Sequence, residues 1–455
     1  MNSFLLNRQL GSISPQALAK AQNERLLESI QAAPLVHFSN QHPTSVATEQ
    51  RVAAEKYIAH KAGVNSITID KFEGRYLLSG GADSSVAIWD LEAGEKSPPN
   101  GIFHSPLSQV TRTSTEASLG ITHISFYPFD SLAFLTSGYD RTIKLFSSET
   151  LVASATFNIG STVYCHDTST AGSHLLVACA SQHPTVRLVD LRSGDSTHTL
   201  AGHSGSVLTV AWHPKNEHIL ASGATDGCCR LWDVRRSVSS LGVLDMDDGI
   251  GVTGHDGKGT GARRRERGKA HTGAVNGISW TEDGQYLIST GHDERMRVWN
   301  MSTGANTLAN FGPVIKNGHK GNLSPIIPPS HLSPPGKETV FFLNPREILG
   351  FDMHSGTLQK RLRAPGNNAP DGPLGSIRNL KSRISALSWR AHHVEMYSAH
   401  ADGSIHSWQP RTWEDVAADE EEEEMTESSD AETANRKRKR DELDQIMRDL
   451  VRKPR

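Results

Sequence analysis

A repeated segment constrains the fold of this 455-residue chain more than any other feature of its sequence. Five segments each place a pair of small residues, then an Asp, and then an aromatic residue six positions after that Asp. They are SGGADSSVAIWD (79–90), TSGYDRTIKLFS (136–147), SGATDGCCRLWD (222–233), STGHDERMRVWN (289–300) and SAHADGSIHSWQ (398–409). Alternating apolar runs precede these segments and predict strands joined by tight turns. A unit of roughly 40–45 residues is typical of a four-stranded propeller blade.

Two weaker units bring the number of repeats to seven. Residues 178–191 have His183 in place of the Asp, and residues 339–356 retain two apolar runs and a closing turn. A blade cannot bury both faces alone, so neighbouring blades must stack around an axis. The sequence therefore predicts an all-β fold, a seven-bladed β-propeller over residues 56–410. We expect Lys56-Tyr57-Ile58 to supply the outer strand of the last blade and so to close the ring.

Units that begin with a Gly-His or Ala-His turn resemble the WD-repeat family. The resemblance implies a buried chain of hydrogen bonds through a turn His, a strand Ser or Thr, the turn Asp and the Trp. The predicted members are His203, Ser222, Asp226 and Trp232 in the fourth unit, and His271, Asp293 and Trp299 in the fifth. A buried carboxylate needs such partners, because leaving it unpaired costs several kcal/mol. We therefore assign these residues a structural role.

Residues 1–55 are predicted to form a helical segment and a linker ahead of the propeller. Residues 15–31 read as a helix, with Ser14 as N-cap and Pro15 in the first helical position. Leu18, Leu26, Leu27 and Ile30 are expected to form one apolar stripe along this helix. The stripe either packs on the flank of the propeller or is exposed for docking to a partner.

Two further segments lie outside the repeats. Residues 245–269 are Gly-rich, contain RRRER at 263–267, and predict a flexible loop that either contacts an acidic partner or phosphate, or stays solvated. Residues 411–455 combine an acidic run at 419–424 with a basic cluster and are predicted to be a disordered tail. The cluster predicts nuclear localisation, although basic runs also occur by chance in charged tails. It consists of Arg436, Lys437, Arg438, Lys439 and Arg440.

The remaining composition argues against several classes of function. A net charge of −3 gives no global field suited to coating nucleic acid or membrane. The four cysteines show no CxxC spacing, which disfavours a disulfide framework or a zinc site. No HExxH, GxSxG or GxxxxGK[ST] occurs, and no apolar run reaches the roughly 18 residues that would cross a bilayer. We expect an intracellular, non-catalytic protein without metal, cofactor, membrane contact or sequence-specific contact to nucleic acid.

The fourth unit ends in Trp232-Asp233-Val234-Arg235. This box resembles the signature of WD-repeat proteins that serve as substrate receptors of cullin-4 ubiquitin ligases. The resemblance implies that Asp233 and Arg235 contribute to binding the triple-propeller adaptor of those ligases, damage-specific DNA-binding protein 1. An Arg just past a strand end projects from the rim, where its planar guanidinium can make bidentate hydrogen bonds.

Four longer segments resemble one family of these receptors, the Cockayne syndrome group A family. They are FLLNRQLG (4–11), GVNSITIDKFEGRYLLSGGAD (63–83), ETLVASATFNIGSTVYCHD (149–167) and GHDERMRVWNMSTGANTLANFG (291–312). The family implies a helix-loop-helix that inserts into the adaptor and a role in transcription-coupled nucleotide-excision repair. The residues that carry over to the adaptor contact are Phe4, Leu5, Arg8, Leu18, Leu26 and Leu27.

In that family the substrate is RNA polymerase II stalled at a lesion, or a repair-coupling factor bound there. The insertion at 245–269, the linker at 32–55 and the basic tail depart from the family pattern. A histone-binding WD-repeat scaffold of chromatin complexes is the alternative interpretation, and an enzyme is a third. Histone binding without the ligase adaptor, or a cofactor retained on purification, would distinguish them.

Overall fold

The computed structural model describes most of the chain outside the inserted loop and the tail. The described ranges are 3–12, 14–40, 57–97, 101–111, 119–172, 174–194, 196–236, 240–247, 268–319, 321–333, 336–363, 383–412 and 414–415. The chain forms two compact units, residues 1–409 and residues 410–455. In the second unit, the Thr412 amide and hydroxyl donate to Asp415 Oδ2. None of the described helices is long and apolar enough to span a bilayer.

Two helices and two short strands precede the repeats. Helix α1 (Ser3–Gln9) is followed by helix α2 (Pro15–Glu28), and strands β1 (Ile30–Ala33) and β2 (Val36–Phe38) come next. The predicted helix over 15–31 therefore ends earlier than expected. Ser29 forms a turn and Ile30 begins a strand, because Ile30 is fully buried in the sheet of the last blade.

Seven radially arranged sheets confirm the predicted propeller. Five of them consist of four strands that are consecutive or nearly so along the chain. Blade 1 comprises β3 (Val64–Ile69), β4 (Tyr76–Gly81), β5 (Val86–Asp90) and β8 (Pro106–Val110); blade 2 comprises β9 (Ile121–Tyr127), β10 (Asp130–Gly138), β11 (Thr142–Ser147) and β12 (Ala153–Asn158); blade 3 comprises β13 (Val163–Thr168), β14 (Leu176–Ser181), β15 (Thr185–Asp190) and β16 (Ser196–Ala201); blade 4 comprises β17 (Val207–Trp212), β18 (Ile219–Ala224), β19 (Cys229–Asp233) and β20 (Gly242–Leu244); blade 5 comprises β21 (Val275–Trp280), β22 (Tyr286–Gly291), β23 (Arg295–Asn300) and β24 (Ala305–Asn306).

Blade 6 is the least regular sheet of the ring. It comprises β25 (Thr339–Leu343), β26 (Glu347–Asp352) and β27 (Leu358–Arg363). Its innermost position is filled by an irregular connector that pairs at a single residue, Ile326, with Phe341. The Pro-rich composition of this connector explains the missing strand, because proline lacks the N–H that a sheet ladder needs.

Blade 7 shows how the ring closes, and here the sequence prediction was wrong. Its strands are β28 (Ile384–Trp389), β29 (Met396–His400), β30 (Ile405–Pro410) and, outermost, β1. The closing strand is therefore Ile30–Ala33 and not Lys56-Tyr57-Ile58, and the propeller begins before residue 56. Tyr57 instead stacks on His37, with ring centroids 4.1 Å apart. Lys56 lies outside the described residues.

A small accessory sheet covers the junction between the last blade and the first. It consists of β6 (Glu95–Ser97), β7 (Gly101–His104) and β2, which pairs with β7 in parallel. Phe38 of β2 is 1% exposed and packs between Trp89 of blade 1 and Tyr397 of blade 7. The N-terminal segment thus contributes the closing strand of blade 7 and, through Phe38, part of the hydrophobic core beside that strand.

The connectivity gives the propeller two distinct faces. We call the upper face the one that carries residues 202–206 and 225–228 of blade 4 and the equivalent loops of other blades. The lower face carries residues 213–218 and 234–236 of blade 4 and their equivalents. Because strands alternate in direction within a blade, loops that follow the first and third strands lie on the lower face.

Candidate functional site

The structure brings His203, Ser222, Asp226 and Trp232 of blade 4 together in one chain of hydrogen bonds. His203 Nε2 lies 2.7 Å from Ser222 Oγ, and Trp232 Nε1 donates to the same hydroxyl at 2.7 Å. His203 Nδ1 lies 3.1 Å from Asp226 Oδ2. Burial raises the pKa of Asp226, but hydrogen bonds from His203 and from backbone amides outweigh it and hold the pKa well below its usual range.

Blade 5 repeats this arrangement around His271, Asp293 and Trp299. The His271–Asp293 distance is 2.9 Å, and Trp299 Nε1 donates to Ser289 Oγ at 2.9 Å. Arg297 also donates to Asp293 Oδ2 at 2.9 Å. The His and Asp side chains of these two blades are therefore occupied by internal contacts, which leaves them a structural role.

The tight turn at the head of blade 4 explains one glycine of the repeat. Gly227 has φ +79°, and a Cβ there would collide with the backbone carbonyl of His271 in the next blade. Both the left-handed backbone and the close approach require glycine at this position. Gly227 therefore allows blades 4 and 5 to approach each other closely at this turn.

Arg235 projects from the lower face, just after strand β19. Its Nε and Nη2 donate to the two carboxylate oxygens of Asp233 at 3.0 and 2.8 Å. The Arg235 side chain is 66% exposed, whereas that of Asp233 is 8% exposed. The Arg235 hydrogen bond lowers the pKa of Asp233 to about 2. Asp233 thus orients the guanidinium, while Arg235 alone of the pair offers surface to a partner.

The N-terminal segment forms a helix-loop-helix, as the family resemblance implies. Gly11 (φ +69°) ends the first helix, and its N–H donates to the Arg8 carbonyl at 3.1 Å. The Leu18 N–H donates to the Ser14 carbonyl at 3.0 Å, which starts the second helix. Leu6 and Leu10 are 44% and 71% exposed. These leucines give the loop an apolar surface that no described residue covers.

The predicted adaptor residues do not share one environment. Phe4 and Leu5 lie within α1, and Arg8 is exposed in the last turn of that helix. In α2, Leu18 is half-buried and Leu26 is exposed. Leu27 is 8% exposed and belongs to the core of blades 6 and 7, so it anchors the helix to the propeller, and its role in the adaptor contact stays a prediction. The predicted apolar stripe is therefore split, because α2 turns Leu27 towards the propeller and Leu26 away from it.

Helix α2 is fixed to the lower face by polar contacts with blade 6. Asn23 Nδ2 donates to the His331 carbonyl at 2.9 Å, and Lys337 Nζ lies 3.5 Å from Glu24 Oε1. Lys360 Nζ donates to the Glu28 carbonyl at the end of the helix. A groove of about 630 Å³ separates the helix from the blade beside these contacts. The helix-loop-helix and Arg235 therefore lie on the same face.

Several predicted segments fall outside the described residues. They are the Arg-rich cluster at 263–267, the acidic run at 419–424 and the basic cluster Arg436–Arg440. Within the described part of the chain, no three His, Cys, Asp or Glu side chains are close enough to hold a metal ion. All four cysteines are free thiols.

Comparison with known proteins supports the repeat assignment. The family described as WD domain, G-beta repeat matches residues 53–90, 108–147, 194–233 and 265–300, which include the three inner strands of blades 1, 2, 4 and 5. The chain is 28% identical to WD repeat-containing protein ATCSA-1 of Arabidopsis thaliana, over 77% of this chain and 86% of the relative.

Two other relatives cover less of either chain. Radiation-sensitive protein 28 of Saccharomyces cerevisiae is 26% identical over 43% of this chain and 41% of its own length. Ribosome biogenesis protein YTM1 of Podospora anserina is 30% identical over 52% of this chain and 54% of its own length. The likeness to these two proteins is therefore confined to about half of each chain.

Proposed function

We propose that this chain, a propeller whose repeats are similar to the WD40 repeat, is the substrate receptor of a cullin-4 ubiquitin ligase that acts in transcription-coupled nucleotide-excision repair. WD-repeat propellers typically act as non-catalytic scaffolds, and the repeat His and Asp residues of blades 4 and 5 are occupied by contacts within the fold. In this role the chain positions a substrate, and the chemistry of ubiquitin transfer belongs to other subunits of the ligase.

The observation that carries the proposal is the pairing of two features on the lower face. One is the helix-loop-helix with its exposed Leu6, Leu10 and Leu26. The other is Arg235, whose guanidinium is oriented by Asp233. An apolar helix that enters a groove and a charged contact beside it act together, because linked contacts make the second binding event intramolecular. The triple-propeller adaptor, damage-specific DNA-binding protein 1, is the partner that these features fit by family resemblance.

The proposed substrates are RNA polymerase II stalled at a lesion and the repair-coupling factors bound to it. The extended likeness to ATCSA-1 supports this choice over a generic scaffold role, because it covers 77% of this chain and 86% of that relative. The cluster Arg436–Arg440 would direct the chain to the nucleus, where these substrates are found.

Binding to the purified adaptor tests the proposal. Phe4→Ala and Arg235→Ala are each expected to weaken binding about tenfold, which corresponds to about 1.4 kcal/mol, and the double variant about a hundredfold. Arg192→Ala is the matched control, because Arg192 follows Asp190 in blade 3 at the position equivalent to Arg235. Unchanged adaptor binding by the double variant, or an equal loss with Arg192→Ala, would contradict the docking surface.

A histone-binding scaffold of chromatin complexes is the second candidate, and the acidic run at 419–424 favours it. The two candidates differ in their partner. If the purified chain binds histones and truncation at residue 418 abolishes that binding, while the adaptor is not bound at all, the scaffold function replaces the ligase function.

A further inference from the structure

We propose that the upper face of blade 3 holds a carboxylate-binding site for an acidic peptide, centred on Arg187 beside the turn in which His183 replaces the repeat Asp. The upper face of this blade comprises residues 159–162 and 182–185, the equivalents of the blade 4 loops that define that face. The site does not depend on the proposed ligase function, because Arg235 and the helix-loop-helix lie on the lower face.

Blade 3 replaces every member of the hydrogen-bonded chain that is present in blades 4 and 5. Ile159 stands at the position of the turn histidine, four residues before the first strand, and Cys179 stands at the position of the strand serine. His183 replaces the Asp, and Val189 replaces the Trp. Ile159, Cys179 and Val189 are buried in one apolar cluster. Apolar packing therefore takes over the structural role that polar side chains have in the other two blades.

Arg187 is nevertheless retained on the third strand of blade 3, four residues after His183. In blade 5 the residue at this position is Arg297, which donates to the turn Asp at 2.9 Å. In blade 2 it is Lys144, whose Nζ lies 3.7 Å from the turn Asp. Both pairs show that a cation at this position is within reach of a carboxylate at the turn. In blade 3 the chain keeps the cation, and His183 cannot supply the carboxylate.

The guanidinium of Arg187 is only partly satisfied by the fold. Its Nη1 donates to the Ile159 carbonyl at 2.5 Å, whereas its Nε is buried without a hydrogen-bond partner. Among the described residues, none forms an ion pair with this half-buried side chain. The edge formed by Nε and Nη2 is the one with which Arg235 holds both oxygens of Asp233. A carboxylate that meets the same edge of Arg187 gains a charge-assisted contact that water screens less than it would on an exposed arginine.

The turn beside Arg187 is held in place without an Asp. The His183 N–H donates to Ser181 Oγ at 3.3 Å, a contact that the turn Asp makes with a backbone N–H in other blades. The Gln182 N–H donates to the Thr162 carbonyl at 2.9 Å, and the Gln182 carbonyl accepts Ser206 Oγ–H at 2.9 Å. These contacts fix the turn before a ligand arrives, which lowers the entropy cost of binding.

Arg230 of blade 4 occupies the same repeat position and shows what distinguishes Arg187. Arg230 also forms no ion pair with a described residue, and its Nη1 donates to Ser240 Oγ at 3.2 Å. Its turn, however, carries Asp226, whose carboxylate is bound by His203 within the fold. An acidic ligand at Arg230 would meet this negative charge. Residues 159–162 and 182–185 of blade 3 contain no Asp or Glu.

The neighbouring blades favour a single carboxylate over a nucleic acid. The equivalent cations of blades 2 and 5 both pair with a carboxylate, so the position is suited to that group. Asp140 of blade 2 and Asp226 of blade 4 lie in the upper-face turns on either side of blade 3. A nucleic acid, with its dense row of phosphates, would meet both acids. One Asp or Glu side chain of a peptide needs to approach blade 3 alone.

Fluorescence polarisation with the full chain tests the site. The probes are a short labelled peptide of alternating Asp and Glu, its Asn and Gln counterpart, and a labelled single-stranded oligonucleotide. We expect the acidic peptide to bind and the neutral peptide not to bind. Arg187→Gln is expected to weaken binding about tenfold or more, because it removes the charge from a half-buried contact.

His183→Asp gives a second test, because it supplies the missing acid from within the turn. The new carboxylate competes for Arg187, so this variant is expected to weaken peptide binding about tenfold. His183→Asn, which adds no charge, should bind the peptide within about twofold of wild type. Urea titrations of each variant establish that a loss of binding is not a loss of fold.

Arg230→Gln is the matched control, because it removes the cation at the same repeat position of the next blade, and it should bind the peptide like wild type. Equal binding of the neutral and acidic peptides, an equal loss with Arg230→Gln, or unchanged binding by His183→Asp would overturn the site. Tighter binding of the oligonucleotide, lost with Arg187→Gln, would replace the peptide by nucleic acid.

Discussion

Blades 4 and 7 reach the same shape in different ways. Blade 4 takes all four strands from residues 207–244, and its turn histidine, His203, reaches the strand hydroxyl of Ser222. Blade 7 takes three strands from residues 384–410 and the fourth from the N-terminal segment. Its strand hydroxyl, Ser398, accepts from Trp408 at 2.8 Å but pairs with His400 of the same strand, at 3.0 Å.

The junction of blade 7 with blade 1 is held by contacts between residues that are distant in sequence. Arg390 is buried, donates to the Gly74 carbonyl at 2.6 Å, and pairs with Glu395 at 2.8 Å. Phe38 fills the adjoining core from a third part of the chain. Blade 4 is therefore stabilised by local contacts of one repeat, whereas blade 7 depends on residues that are distant in sequence.

The largest predicted effect is at this junction. Phe38→Ala would leave a cavity between Trp89 and Tyr397 and is expected to lower the free energy of unfolding by about 3–5 kcal/mol in urea titrations. Phe72→Ala is the control, because Phe72 is 51% exposed, and it should change stability by less than about 0.5 kcal/mol. A small effect of Phe38→Ala would mean that the ring closes without the accessory sheet.

A smaller effect is expected inside blade 4. Ser222→Ala leaves the Trp232 Nε1–H without its acceptor and His203 Nε2 without its hydroxyl partner, and should cost about 2–3 kcal/mol. Ser398→Ala in blade 7 should cost about 1–2 kcal/mol, because His400 lies on the same strand and is held by its own backbone. Equal losses in the two variants, measured in parallel denaturant titrations, would remove the distinction between the blades.

The sequence predicted what the repeat encodes. Seven sheets and a helix before the first blade follow from periodicity and turn chemistry, and the members of the hydrogen-bonded chains in blades 4 and 5 follow from the resemblance to WD repeats. Closure could not be predicted in the same way, because Ile30–Ala33 is a four-residue strand whose partner strand lies nearly the whole chain away. An apolar pattern of only four residues does not distinguish a short strand from the last turn of the preceding helix.

The docking surface was predicted only in part, for a related reason. Arg235 stands in a motif, so its position on the rim could be read from the sequence. Leu26 and Leu27 are adjacent and chemically identical, and only tertiary packing shows that one is exposed and the other is core.

The effect of pH gives the last test, through two aspartates in adjacent blades. Hydrogen bonds from His203 and backbone amides outweigh burial and hold the pKa of Asp226 below its unfolded value, so its contribution is present above about pH 4 and is lost as pH falls. Asp226→Asn should therefore lower stability by about 1–2 kcal/mol at pH 7, with the difference shrinking below about pH 4.

The pKa of Asp167 in blade 3 is shifted in the opposite direction. Burial, opposed by the Trp212 N–H, raises its pKa to about 6, so its folded state loses stability as pH rises through that value. Asp167→Asn should be more stable than wild type at pH 7 and should lose this advantage below about pH 4, whereas a parallel pH response of the two variants in urea titrations would contradict both assignments.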